Sequence, residues 1–429
     1  MKSKISFAAL LAVLLSISVL MVTWAHAAPA STKVLKLGVT LPMQIREALE
    51  QQRWLRLFAK LINEQGGWKI GGDTYTVEYI FYNDEYNAEK ARQAVERLIF
   101  RDNVKHIINQ WGSAPIIATI KLSEPNKILV IGTSISDEPV KPAYKYTFKG
   151  TDPIPFGVGQ SLFGAMEYKK RGAKSLVVIN PDDATGRARS EQDKRSIPST
   201  GLKIIDYLFW PRGTVDFGPI ATKLKALNPD IAWLAATSGE DITKMTVALY
   251  NAGFKGIIDC DNMHAGIIKD IVAKIGPEYL EGSMSALFDA RQYQKDPEMV
   301  GYIQAYEKEY GEWNIEGIMW LAPWFTFKAA VNATQSLDVD VLANYLAKSP
   351  PPVRTLCGWR TGIARPDLGN LRTTAAVTTL WKGIMKNGKM LPFAPLSSEF
   401  IYKSFIESYG MKDIYEKYWK EHGYPKFPD

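Results

Sequence analysis

The chain predicts an α/β protein: two doubly wound parallel-sheet lobes joined by a multi-strand hinge. Three observations carry this expectation. Short β-branched and aromatic runs alternate with segments whose apolar residues recur at helical spacing, the pattern of parallel strands covered on both faces. The alternation pauses once, at Gly150-Thr151-Asp152-Pro153-Ile154-Pro155, and then begins again. A length of 429 residues with 46% hydrophobic and 23% charged content is too much for one core, and it suits lobes that need neither metal nor disulfide to fold.

Val34 to Thr40 reads as the first strand. Trp54, Leu57, Phe58 and Leu61 mark the helix after it, which Gly66-Gly67 stops. Thr76 to Tyr82 leads through Asn83-Asp84 into a helix faced by Ala91, Ala94, Val95, Leu98 and Ile99. Val104 to Ile108 and Ile128 to Ile131 open the third and fourth repeats. After the pause, Ser175 to Ile179, Lys203 to Tyr207, Ile231 to Ala235 and Gly256 to Asp259 read as strands, and Ile242, Met245 and Leu249 face one helix between them. Ser283 to Phe288 is a further strand and Ile318 to Val331 an apolar helix. Beyond Pro350-Pro351-Pro352, Ala375 to Trp381 reads as one strand. The division that follows is residues 34–148 plus 283–372 for an N-terminal lobe and 149–282 plus 373–429 for a C-terminal lobe. The chain then crosses between them near Lys149, Gly282 and Ala375.

Lys2 and Lys4 precede an uncharged stretch from Ile5 to Trp24, and Ala25-His26-Ala27 supplies a small-x-small cleavage pattern. Residues 1–27 thus read as a Sec signal peptide rather than an anchor, which places the mature chain in the periplasm or on the extracellular face. Two cysteines, Cys260 and Cys357, allow in that compartment either a disulfide or two separate buried thiols. They form no CxxC pair, and the four histidines are scattered, so no metal site is expected. The 52 Lys+Arg and 45 Asp+Glu residues are interspersed without a basic run, which argues against a nucleic-acid partner.

In open parallel sheets ligands sit beyond the carboxyl ends of the strands. The loops there are rich in small hydroxyl residues: Trp111-Gly112-Ser113-Ala114, Gly132-Thr133-Ser134-Ile135-Ser136, Asp182-Asp183-Ala184-Thr185-Gly186, Thr237-Ser238-Gly239-Glu240 and Asp261-Asn262-Met263-His264. Taken singly, each Ser, Thr or Asp is explained as a helix cap. Taken together around one crevice, hydroxyls and helix-start amides suit a carboxylate. Trp111 and Trp320 are the aromatic candidates for a solute wall, whereas Trp324 shares core spacing with Phe327. His264 is a minor candidate for ligand contact. Catalytic motifs fail: the stretch from Gly132 to Ser136 lacks the closing Gly of a nucleophile elbow, Gly157-Val158-Gly159 lacks its strand and third Gly, and no GxxxxGK[ST] occurs.

Leu61-Ile62-Asn63-Glu64-Gln65-Gly66-Gly67, Asn83-Asp84, the helix from Ala88 to Ile99, Val104 and Gly112-Ser113 follow one another in an order and spacing that resemble a known family. It is that of the solute-binding proteins of ABC importers of the branched-chain amino acid (leucine-binding) type, with the type I periplasmic-binding fold. The resemblance implies a monomeric, non-enzymatic protein without cofactor or metal. Such a protein captures a small carboxylate-bearing solute, an amino acid or an aromatic acid, and delivers it to an ABC permease. A sensory or adaptor protein of the same fold is the alternative. The resemblance maps the carboxylate onto Ser113 with its neighbour Ala114, and onto Thr133 and Ser134. Family aromatics are replaced at Thr185 and Thr237. The acidic partner for an ammonium group falls at Asn262, beside Asp261, with Glu240 as another possible countercharge.

Overall fold

The computed structural model describes residues 32–237, 239–287, 294–311, 313–348 and 350–428. The expected export signal, Ser238 and Phe288 lie outside the described residues. The first sheet holds β1 (Lys33–Leu41), β2 (Trp68–Ile70), β3 (Asp73–Asn83), β4 (His106–Trp111), β5 (Leu129–Thr133) and β6 (Thr147–Thr151) in the order β2-β3-β1-β4-β5-β6. All neighbours are parallel except the β2–β3 hairpin at the edge. Gly71 and Gly72 make its two-residue turn, both at positive φ (58° and 90°), the backbone that a twisted hairpin needs and that glycine adopts without strain. The apolar residues that predicted β1 and the following helix Arg46–Glu64 do meet: Leu35, Leu37, Val39 and Leu41 share a core with Trp54, Leu57 and Phe58.

The second sheet holds β7 (Ser175–Pro181), β8 (Lys203–Trp210), β9 (Ile231–Trp233) and β10 (Ile257–Asp259), all parallel, in the order β10-β9-β7-β8. Strand β9 stops two residues before the expected Ala235. The chain turns there, and the Ala236 amide donates to the Asn180 side-chain oxygen at 2.9 Å.

The third part of the chain corrects the expectation most. It contributes β11 (Met284–Leu287), β12 (Val353–Thr355), β13 (Gly358–Arg365), β14 (Asn370–Thr378), β15 (Leu380–Lys386) and β16 (Lys389–Leu396). These form two antiparallel sheets, β11-β15-β16 and β12-β13-β14. The single strand expected from Ala375 to Trp381 is therefore the end of β14 and the start of β15. Thr379 separates them, its amide donating to Trp359 O at 2.8 Å and its Oγ1 accepting from Trp359 N at 2.7 Å. Strand β14 runs beside β6, where the Asp152 amide donates to Ala376 O at 2.6 Å. Strand β11 runs beside the end of β10, where the Ala286 amide donates to Asp261 O at 3.3 Å. Each small sheet thus extends one large sheet, and the step from β14 to β15 carries the chain from one lobe to the other.

Strand β11 stays with the second lobe, since Met284 packs with Val178 and Trp233. The chain returns to the first lobe by helix Pro297–Tyr310, whose Met299, Ile303 and Tyr306 join the Trp54 core. Cys260 and Cys357 are separate buried thiols in different cores, so the disulfide alternative is not realised. No helix among the described residues is long and apolar enough to cross a membrane.

Candidate functional site

The carboxyl ends of the two large sheets face each other across a narrow cleft with a cavity of about 70 Å³. On the first-lobe side β4 ends at Trp111, and Gly112 turns the chain into helix Ser113–Ser123. Gly112 has φ 111°, and a Cβ there would stand 2.6 Å from the Tyr86 ring, so only glycine fits. It supplies no side-chain cap, which leaves the first-turn amides and the positive end of the helix directed at the cleft. The Ser113 hydroxyl accepts from the amides of Ile135 and Ser136, both at 3.1 Å, and from Ser134 Oγ at 3.2 Å. It therefore fixes the loop after β5 as well as facing the cleft. Trp111 and Trp320 form an apolar wall, their ring centroids 5.7 Å apart and inclined by 32°. Asn109 holds the second ring in place by donating to Trp320 O at 2.6 Å.

On the second-lobe side Asp183 caps helix Ala184–Ser196 by accepting from the Gly186 amide at 2.8 Å. One turn further, Arg189 lies buried along the cleft wall. It pairs with Asp261 at 2.6 Å and Asp193 at 3.5 Å and donates to Ser161 Oγ at 2.8 Å. Burial disfavours its charge, but Asp261 and Asp193 more than offset this and its pKa is raised. Burial pushes Asp193 up to about 6 even beside Arg189. Gly157 makes room for the guanidinium, because a Cβ there would stand 1.7 Å from Arg189 Nη1. Arg212 completes this wall at the solvent edge, ion-paired with Asp183 and lying 4.8 Å above the Tyr86 ring.

Of the expected site residues, Trp111, Ser113, Thr133, Thr185, Asp261, Asn262 and Trp320 line this one cleft. Ala114, Ser134 and Thr237 do not. Ala114 is carried away on the first turn of its helix, and Ser134 sits behind Ser113 with its hydroxyl 3.2 Å from Ser113 Oγ and 3.1 Å from Ser136 O. Thr237 is fully buried, and its carbonyl accepts from Asn262 Nδ2 at 3.4 Å. Glu240 points to solvent. His264 is buried outside the cleft, 3.6 Å from Glu47 Oε1. Tyr86, Arg189, Arg212, Ile45 and Phe156 line the cleft without having been expected. The Arg189 to Asp193 spacing gave one local sign, two opposite charges four residues apart on a helix that also buries Gly186, Gln192 and Ser196.

Beneath the cleft, Asp84 accepts from the Tyr86 amide at 2.9 Å, and burial pushes its carboxyl up to about 6. A carboxyl raised in the folded state keeps more protons there than when unfolded, so its effect on stability is unfavourable above pH 6 and vanishes below about 4. Lowering the pH from 7 to 5 is therefore expected to return about 1 kcal/mol through Asp84 alone. Asp84→Asn should abolish that share of the pH dependence in urea titrations. An unchanged slope would show that Asp84 is not its source.

The geometry above defines a two-lobed protein with a cleft between the lobes, on the type I periplasmic-binding fold. A family described as periplasmic binding protein matches residues 50–381, and the chain belongs to it. Its relatives include a Leu/Ile/Val-binding protein homolog 7 of Brucella abortus, 22% identical over 307 residues, covering 67% of this chain and 73% of the relative. A leucine binding protein from Thermotoga maritima superposes with a TM-score of 0.68 at 20% identity, covering 84% of this chain and 98% of its own. A solute binding protein from R. palustris, solved in complex with benzoate, gives 0.68 at 18%, covering 84% and 96%. The branched-chain amino acid binding protein LivJ of Streptococcus pneumoniae, solved with isoleucine, gives 0.69 at 16%, covering 85% and 100%.

Proposed function

We propose that the chain is an extracytoplasmic solute-binding protein that closes over a small carboxylate-bearing solute and delivers it to an ABC permease. The observation that carries this reading is the pairing of unlike walls in one cleft. An uncapped helix start with the Ser113 and Thr133 hydroxyls stands on the first lobe, and the buried Arg189–Asp261 pair stands on the second. The carboxylate sits against the first-turn amides and Thr133, and the apolar body lies along Trp111 and Trp320. Thr185 and Asn262 face it from the second lobe. Asp261 Oδ1 has no partner, and it accepts from an amino group where the solute carries one. The relatives named for leucine, isoleucine and benzoate bind solutes of this kind, which supports the reading. The lobes that move are residues 34–148 plus 283–372 against 149–282 plus 373–429, with β11 assigned to the second.

Titration calorimetry of solute-free protein against amino acids and aromatic acids tests the proposal, with native mass spectrometry of freshly purified protein to identify a retained solute. Absence of any binding tighter than millimolar would overturn it. Ser113→Ala is expected to weaken carboxylate binding and also to destabilise the protein by about 1 to 3 kcal/mol, because the amides of Ile135 and Ser136 lose their acceptor. Unchanged affinity would remove Ser113 from the site.

A further inference from the structure

Glu85 and Tyr86 are consecutive non-glycine residues in the left-handed region, with φ of 50° and 56°. Such a pair is costly and persists only where its surroundings hold it. The surroundings here are explicit. Asn83 Oδ1 accepts from the amides of Glu85 and Met43, both at 3.0 Å, Asp84 Oδ1 accepts from the Tyr86 amide, and the Asn87 amide donates to Asp84 O at 2.8 Å. The turn belongs to the first lobe, yet its side chain engages the second. Tyr86 passes over Gly112, its hydroxyl meets Thr185 Oγ1 at 2.7 Å, and its ring lies under the Arg212 guanidinium. Asp183 holds both partners, pairing with Arg212 and capping the helix that carries Thr185. A second direct bridge joins the lobes elsewhere: the Gly239 amide donates to Glu47 Oε1 at 3.1 Å.

We propose that Tyr86 is a positioning residue for closure, a strut preset by the strained turn and gripped by Thr185 and Arg212, so that lobe-to-lobe contacts favour the closed cleft alongside the solute's own. This rests on the two-lobed binding reading above. Because the grip includes the hydroxyl and the ring face separately, Tyr86→Phe removes one part and leaves the ring under Arg212.

Hydrogen exchange on solute-free protein tests the strut at a distance, because the Gly239 amide is bonded across the lobes without touching Tyr86. In Tyr86→Phe and in Thr185→Val that amide is expected to exchange about fivefold faster than in the parent, the effect of losing one net hydrogen bond from the closed state. The double variant should add nothing further. Amides of Val177 and Val178 in β7 should be unchanged, which checks the fold. Equal Gly239 exchange in parent and variants, or already rapid exchange in the parent, would overturn the strut, as would additive effects in the double variant. If calorimetry nevertheless finds a bound carboxylate, the strut fails alone and the binding reading stands. If no solute binds, that reading fails irrespective of exchange at Gly239.

Discussion

Arg365→Met is expected to lower stability by about 3 to 5 kcal/mol, the usual cost of removing one partner from a buried charge cluster. Arg365 ends β13 and is 1% exposed. It pairs with Asp137 at 2.6 Å, Asp152 at 3.4 Å and Asp367 at 2.8 Å. Lys149 is the second cation of the cluster, 3.1 Å from Asp152 and 3.3 Å from Asp137. Without Arg365, Asp137 and Asp152 would share one ammonium group and Asp367 would keep only the Tyr415 hydroxyl. The cluster sits where the lobes join: Lys149 lies on β6, Asp152 caps helix Pro153–Lys170, and Asp367 accepts from Tyr415 of helix Lys412–His422 at 2.7 Å. Burial alone would raise Asp137, but Lys149 and Arg365 hold its carboxyl below the usual range. The stability from a depressed carboxylate is present above its unfolded pKa, about 4, and is lost as pH falls through the folded value. The deficit of the variant should therefore be full at pH 7 and shrink below pH 4. Urea midpoints at constant slope measure it, and a loss under about 1 kcal/mol would mean that the cluster does not bear on folding.

The parallel strands were legible because each is a short apolar run bounded by a helix of clear periodicity. β1, β3, β7 and β8 all stand where the spacing put them. The antiparallel additions were not. Strands β14 and β15 are separated by one residue, Thr379, and no periodicity distinguishes two strands so joined from one. β16 alternates exposed and half-buried positions but contains Pro392 and Pro395, which read as breaks. The site was legible on its first-lobe side, where Trp111, Ser113 and Thr133 follow strand ends. Arg189 and Arg212 escaped notice because each reaches the cleft from a segment that looks solvated. Arg189 sits within a strongly polar helix, and Arg212 follows Trp210-Pro211 at a loop. Their partners Asp261 and Asp183 are distant in sequence, so the pairings exist only once β10, β9, β7 and β8 are assembled into one sheet. Tyr86 depends on a left-handed backbone that nothing in its residue type announces.

Arg189→Gln should produce the second large effect, a loss of about 3 kcal/mol, and its cause is separable from mere loss of packing. The substitution leaves Asp261 and Asp193, both buried, without their common cation. Asp193 is already raised to about 6 with Arg189 present, and removal of the guanidinium can only raise it further. A raised carboxyl makes the folded state the better proton acceptor, so the variant should regain stability as pH falls from 7 toward 5. The parent should do so less. If the orphaned charge is the cause, Arg189→Gln with Asp261→Asn is expected to be more stable than Arg189→Gln alone, because one buried carboxylate has been replaced by an amide that needs no cation. A double variant no better than the single, with the same slope against pH, would assign the loss to the cavity beside Gly157 instead. In that case Asp261 would be held in place by the fold rather than by Arg189, with its unpartnered Oδ1 still open to the solute.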